Sequence, residues 1–213
     1  QQISDFEDSK TFQKKLRSVW QLQQHVSYCL FGSKKHLMNE LFEKKNLPFY
    51  KFGDAIYLAK IETKYWIEYI CKRFENTGKH ISPELAEEIC RLVDNHSSYV
   101  QQLSWLLWIR TINTATTEQL SYALEDLLDQ NNILFQSETE NLSAYQMNFL
   151  KAIVDGIHTK FSSKEVISKY NLGTSANIVR LKNALLQKEL IETNGKEIVL
   201  ADPVFGVWFK KEM

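Results

Sequence analysis

The sequence predicts a mainly helical α+β protein. A short strand–helix–strand segment of parallel type stands at the front, a helical bundle in the middle, and three helices with a β-hairpin at the back. Three observations carry this. Seven Gly and three Pro among 213 residues are too few for an all-β sandwich. Apolar residues recur at three- and four-residue spacing through most of the chain. Short apolar runs of strand character occur within residues 26–61 and 190–200. With 44% hydrophobic and 12% aromatic residues, the chain can fill one large or two modest cores, which excludes a disordered tail.

From Lys10 to Gln24, Phe12, Leu16, Val19, Trp20 and Gln23 share one face while Lys14, Lys15 and Arg17 lie between them, so an amphipathic helix is expected. Val26 to Phe31 is β-branched and aromatic and stops at Gly32, which predicts a buried strand. Ser33 then stands where it would cap a helix carrying Leu37, Met38, Leu41 and Phe42. Beyond Pro48, Ile56 to Ile61 reads as a second strand beside the first. Two strands and one helix cannot bury both faces of a sheet. Residues 1–62 are therefore expected to be the rear part of a larger α/β domain.

The helical period then takes over. Trp66, Ile67, Ile70 and Phe74 form one stripe, ended by Asn76-Thr77-Gly78. Ser82-Pro83-Glu84 is an N-terminal signal of cap, proline and acid for the next helix. After the break Asn95-His96-Ser97-Ser98, a very apolar helix runs through Val100, Leu103, Leu106, Leu107 and Ile109, and another carries Leu120, Leu124, Leu127 and Leu128 from Thr117. Residues 63–135 are thus expected to be a helical bundle, with Trp66, Tyr99, Trp105 and Trp108 as core side chains. Gln136 to Asn141 reads as a polar linker. Helical patterns over 143–157, 162–170 and 174–188 precede two short apolar strands flanking Asn194-Gly195, a hairpin signal. Three helices and a hairpin describe a winged helix-turn-helix over residues 142–213.

Lys+Arg and Asp+Glu each number 26, so no net charge holds the chain to nucleic acid or an anionic surface. The distribution is uneven: residues 1–60 carry net +4, residues 61–141 net −7 and residues 142–213 net +3. Cys29, Cys71 and Cys90 are odd in number and widely spaced, which fits reduced thiols in the cytoplasm and neither a disulfide framework nor a CxxC metal site. No apolar run reaches the roughly 18 residues of a membrane span, and no membrane role is expected. His36 lacks a second ligand at metal spacing, and no metal site is expected.

Four blocks in order, Leu16-Arg17-Ser18-Val19-Trp20-Gln21, Tyr28-Cys29-Leu30-Phe31-Gly32-Ser33-Lys34-Lys35-His36-Leu37-Met38, Pro48-Phe49-Tyr50-Lys51-Phe52-Gly53-Asp54 and Asp202-Pro203-Val204-Phe205-Gly206-Val207-Trp208-Phe209, resemble the archaeal-type AAA+ ATPases of the STAND group. The resemblance spans nearly the whole chain. It implies that residues 1–62 are the C-terminal part of a P-loop nucleotide-binding core, that residues 63–135 are its lid, and that the intact parent uses ATP and Mg²⁺. It also implies that Gln1-Gln2-Ile3 follows closely on the metal-polarising acids. The phosphate loop GxxxxGK[ST] would lie upstream, since Gly78-Lys79 and Gly195-Lys196 lack its other members. No bound cofactor and no ATP hydrolysis are therefore expected of these residues alone.

By the same resemblance, Gly32 and Ser33 match the sensor 1 position facing the γ-phosphate, Arg17 is placed to contact nucleotide phosphate, and His96 falls in the lid turn near the base. Read from the residues alone, Ser33 is a helix cap, Arg17 belongs to a solvated helix face and residues 95–99 form a plain turn. The relatives' Gly-x-Pro turn is missing there. In the winged helix, Ser175, Asn177, Arg180 and Lys182 lie on the third helix, with Asn177 and Arg180 placed for base edges and Lys182 for a phosphate. Against that, the wing offers one Lys196 between Glu192 and Glu197, a poor phosphate surface. DNA and a protein partner both remain open as ligands, and an oligomer is compatible with either. The expected function is that of the C-terminal part of an AAA+/STAND-type ATPase, coupling ATP binding in the parent to lid and winged-helix rearrangement. The alternative is a non-enzymatic winged-helix DNA-binding regulator. No nucleophile elbow, HExxH or paired catalytic carboxylate supports an independent enzyme.

Overall fold

The computed structural model describes residues 8–32, 38 and 41–213. They belong to two compact units, Gln1–Ala59 and Lys60–Met213. The sensor 1 candidate Ser33, with Lys34, Lys35 and His36, lies outside the described residues.

The first unit opens with α1 (Ser9–Trp20), where an Asp8 carboxylate oxygen accepts the Thr11 backbone N–H at 3.3 Å. The helix ends four residues before the expected Gln24. Its last residue, Trp20, stacks on Tyr28 and on the buried Phe49, with ring centroids 4.5 and 5.5 Å apart. Phe42 and Phe52 complete this aromatic cluster. The predicted strands 26–31 and 56–61 do not form. Phe31 is 90% exposed and Leu58 87%, and neither segment joins a ladder among the described residues. A parallel strand owes both its hydrogen bonds and its burial to neighbours on either side. Within the described residues neither segment has one.

The second unit begins with α2 (Thr63–Glu75), α3 (Pro83–Leu92) and α4 (Ser97–Arg110). Ser82 caps α3 as expected, its hydroxyl accepting the Leu85 backbone N–H at 3.2 Å. The loops before α3 and after α4 are tied by backbone bonds from His80 to Asn113 and from Ala115 to His80, at 2.7 and 2.8 Å. A capping box of Thr116 and Gln119 starts α5 (Thr117–Glu140). That helix runs through the stretch expected to be a linker. Thr139 is buried in its last turn and donates to the carbonyls of Phe135 and Gln136, so polar residues here serve the helix and do not break it. Trp66 and Tyr99 are core residues, but Trp105 is 56% exposed, contrary to expectation.

The remaining elements are α6 (Ala144–Val154), α7 (Lys164–Lys169), α8 (Ser175–Gln187), the antiparallel strands β1 (Ile191–Asn194) and β2 (Glu197–Leu200), and α9 (Pro203–Glu212). The hairpin register pairs Asn194 with Glu197, so the two-residue loop is Gly195-Lys196, one position later than read from the sequence. Gly195 has φ +60° and Lys196 does not share a positive φ, which is the pattern of a type II′ turn. Helix α9 was not anticipated as an element. Asp202 and Pro203 supply its cap and first position.

One hydrophobic core runs through this unit from Trp66 to Phe209. Phe135 of α5 packs on Phe205 and Trp208 of α9, at centroid distances of 5.5 and 5.6 Å, and the Trp208 indole N–H donates to the Asn132 side chain at 2.8 Å. The bundle and the winged helix are thus built on shared side chains. Burial pushes the Cys90 thiol up to about 11, and burial followed by Glu75 raises that of Cys71. A thiolate-selective reagent at neutral pH should therefore modify exposed Cys29 first and Cys90 last, which peptide mapping over time would check.

Candidate functional site

The most elaborate polar arrangement lies where the bundle meets the winged helix. Tyr99, buried in the first turn of α4, donates its hydroxyl to Asp202 Oδ2 at 2.5 Å. Asp202 Oδ1 accepts the backbone N–H groups of Val204 and Phe205 at 2.8 and 3.0 Å and so caps α9. The His96 ring lies 4.7 Å from that of Tyr99, and its Nδ1 is buried without a hydrogen bond. Burial, then the bond to Asp202, pushes the Tyr99 phenol far up, so it remains a donor across the accessible pH range.

Half-buried Glu138 adds a second acid. Burial and then the Asp202 carboxylate raise its pKa from the usual 4.5. A carboxyl raised in the folded state binds its proton more tightly there than when unfolded. Ionised Glu138 therefore costs stability above that raised value, and the cost fades as pH falls through it. Glu138→Gln should raise the melting temperature at pH 7 and do less near pH 4.5; equal effects at both pH values would show that its charge is immaterial.

The residues expected to contact nucleotide are Arg17, Gly32 and His96. Arg17 donates to the carbonyls of Pro48 and Tyr50, the latter at 3.2 Å, and its guanidinium lies 5.4 Å from the Phe52 ring centre. In this structure it organises the 48–52 loop. Gly32 is exposed and His96 belongs to the Tyr99 cluster.

On α8, Ser175 and Arg180 are exposed, whereas Asn177 and Lys182 are half-buried. The Asn177 amide donates to the Leu172 carbonyl at 3.0 Å, across the turn that carries Gly173 at φ +83°. Val179, 63% exposed, stands on the outer face beside Arg180. On the wing Glu192, Lys196 and Glu197 are all exposed. A cleft of about 650 Å³ opens between α9, the end of α6 and β2, with Val154, His158, Leu200, Val207 and Lys210 among its lining.

Tyr99 and Asp202 were missed as a pair by sequence reasoning, although Asp202-Pro203 is a legible cap signal. Nothing local connects two residues 103 positions apart.

Comparison with known proteins bears on the fold. The model of a family described as a probable winged helix domain matches residues 133–211, beginning inside α5 and so including the turns that pack against α9. No curated protein matches the chain. Among solved structures, a Walker-type ATPase of Pyrococcus abyssi is similar over 96% of this chain, with a TM-score of 0.72 and 17% identity. The chain spans 58% of that ATPase's length. At that identity the likeness establishes the fold. No described helix is long and apolar enough to cross a membrane.

Proposed function

We propose that the chain is the C-terminal part of an AAA+/STAND-type ATPase, in which residues 63–135 act as the lid and ATP binding in the intact parent rearranges lid and winged helix. The single observation that carries this reading is the core shared by bundle and winged helix, which gives ATP-driven motion of one a direct mechanical route to the other. The similarity to a Walker-type ATPase over almost the whole chain supports it.

ATP and Mg²⁺ are the ligands of the parent in this reading. Arg17, the expected nucleotide-phosphate contact, donates to the backbone carbonyls of Pro48 and Tyr50. Phosphoryl transfer needs backbone amides, a lysine and a metal gathered around the phosphates. Isothermal calorimetry and phosphate release should show neither ATP binding nor turnover for residues 1–213, and both for a chain extended upstream through a phosphate loop. Absence of nucleotide binding in the extended chain would overturn the proposal.

For the winged helix we favour a protein ligand. Helix α8 carries two cations, exposed Arg180 and half-buried Lys182, with exposed Val179 beside Arg180, and the wing carries two glutamates to one lysine. Affinity for DNA is dominated by phosphate neutralisation and steepens with the number of such contacts. Gel-shift titration against duplex DNA at low salt should show only weak binding. Tight binding with a steep salt slope, lost in Arg180→Ala, would instead favour the DNA-binding regulator.

A further inference from the structure

Asp202 uses its two carboxylate oxygens for different purposes. Oδ1 alone accepts both backbone N–H groups of the α9 cap. Oδ2 takes the Tyr99 hydroxyl at 2.5 Å, from a helix that begins more than a hundred residues earlier. Neither helix needs this second bond for itself: the cap is complete without Tyr99, and a buried ring at position 99 would pack equally as phenylalanine. What the bond adds is a fixed relation between α4 and α9.

The start of α4 is itself tied down. Asp94 and Asn95 both have left-handed backbone conformations, φ 48° and 53°. Lys60 Nζ donates to the Asp94 side chain and carbonyl at 2.6 and 2.8 Å. The Asn95 amide and the Thr63 hydroxyl are hydrogen-bonded at 3.0 Å. The His96 ring then lies tilted against that of Tyr99, with centroids 4.7 Å apart. A continuous set of polar and ring contacts therefore leads from the first residues of this unit to the cap of its last helix. Half-buried Glu138 feels the Asp202 carboxylate, which together with burial raises its pKa.

We infer that the Tyr99–Asp202 hydrogen bond is a latch that positions α9 and the hairpin against the bundle, and that its release loosens them while α2 and α3 stay folded. The inference rests on the reading in which lid and winged helix rearrange. Its test uses no nucleotide, so a failed latch and a failed ATPase reading are told apart.

The test is residue-resolved amide exchange on the whole chain, in Tyr99→Phe and Asp202→Asn. Asparagine retains the capping oxygen and removes the charge-assisted bond, so both variants keep both helices. Protection of the amides of Trp208 and Phe209 in α9 and of Ile198 in β2 should fall about tenfold in each, as expected for loss of a hydrogen bond to a charged group, with α2 and α3 amides unchanged. The double variant should lose no more than either single one. Wild-type exchange in α9 of Tyr99→Phe would overturn the latch. So would an equal fall across α2, α3 and α9, which is the signature of a merely stabilising contact.

Discussion

Phe205→Ala is expected to cost about 3–5 kcal/mol, the range for emptying a fully buried phenylalanine site, and to lower the main melting temperature by roughly 10 °C. Phe205 is 1% exposed and touches Phe135, Trp208 and Phe209 at ring-centre separations of 5.5 to 5.7 Å. Its neighbours cannot close the void easily, because Phe135 and Trp208 are fixed on two different helices. Gly206, the next residue, already approaches Leu200 so closely that an added Cβ would lie 2.7 Å from its Cδ1. A side chain at 206 would therefore not fit between α9 and β2 without a shift. Urea titration followed by circular dichroism would check the loss, and a cost under about 1 kcal/mol would mean that the site collapses after all.

Leu103→Ala should cost about 2–5 kcal/mol by the same reasoning. Leu103 is fully buried at the middle of α4, which packs between α3 and α5. The informative part is where the damage spreads. Because the core is continuous, removal of this bundle side chain should weaken the hairpin and α8 as well as the bundle. Far-ultraviolet dichroism and exchange of Leu185 and Ile198 amides would reveal it.

The sequence made the helices of the second unit plain because their signals are local. Ser82, Thr116 and Ser143 cap as residue type and spacing suggest. Two kinds of feature were not legible. The runs Val26–Phe31 and Ile56–Ile61 have strand composition, but a buried strand is defined by its neighbours, and composition cannot supply them. Helix α9 hid for a related reason: Val204, Phe205, Val207, Trp208 and Phe209 are apolar on too many sides to show a helical period. The extension of α5 through residue 140 was masked by polar side chains that read as a linker, though Phe135 and Thr139 are buried four residues apart. As for the site, the polar face of α8 was visible, but the engagement of Asn177 with Leu172 and the pairing of Tyr99 with Asp202 depend on tertiary folding.

The proposed coupling requires the bundle and helices α6 and α8 of the winged helix to hold together as one cooperative block, from which α9 and the hairpin loosen separately. The most direct measurement is native-state amide exchange in rising urea, read at Ile89 and Leu107 in the bundle and at Leu150 and Leu185 in the winged helix, all fully buried. A shared core predicts one opening free energy and one urea dependence for all four. Two separate sets of values, one for each half, would contradict it and leave ATP-driven motion of the lid without a rigid path to the winged helix.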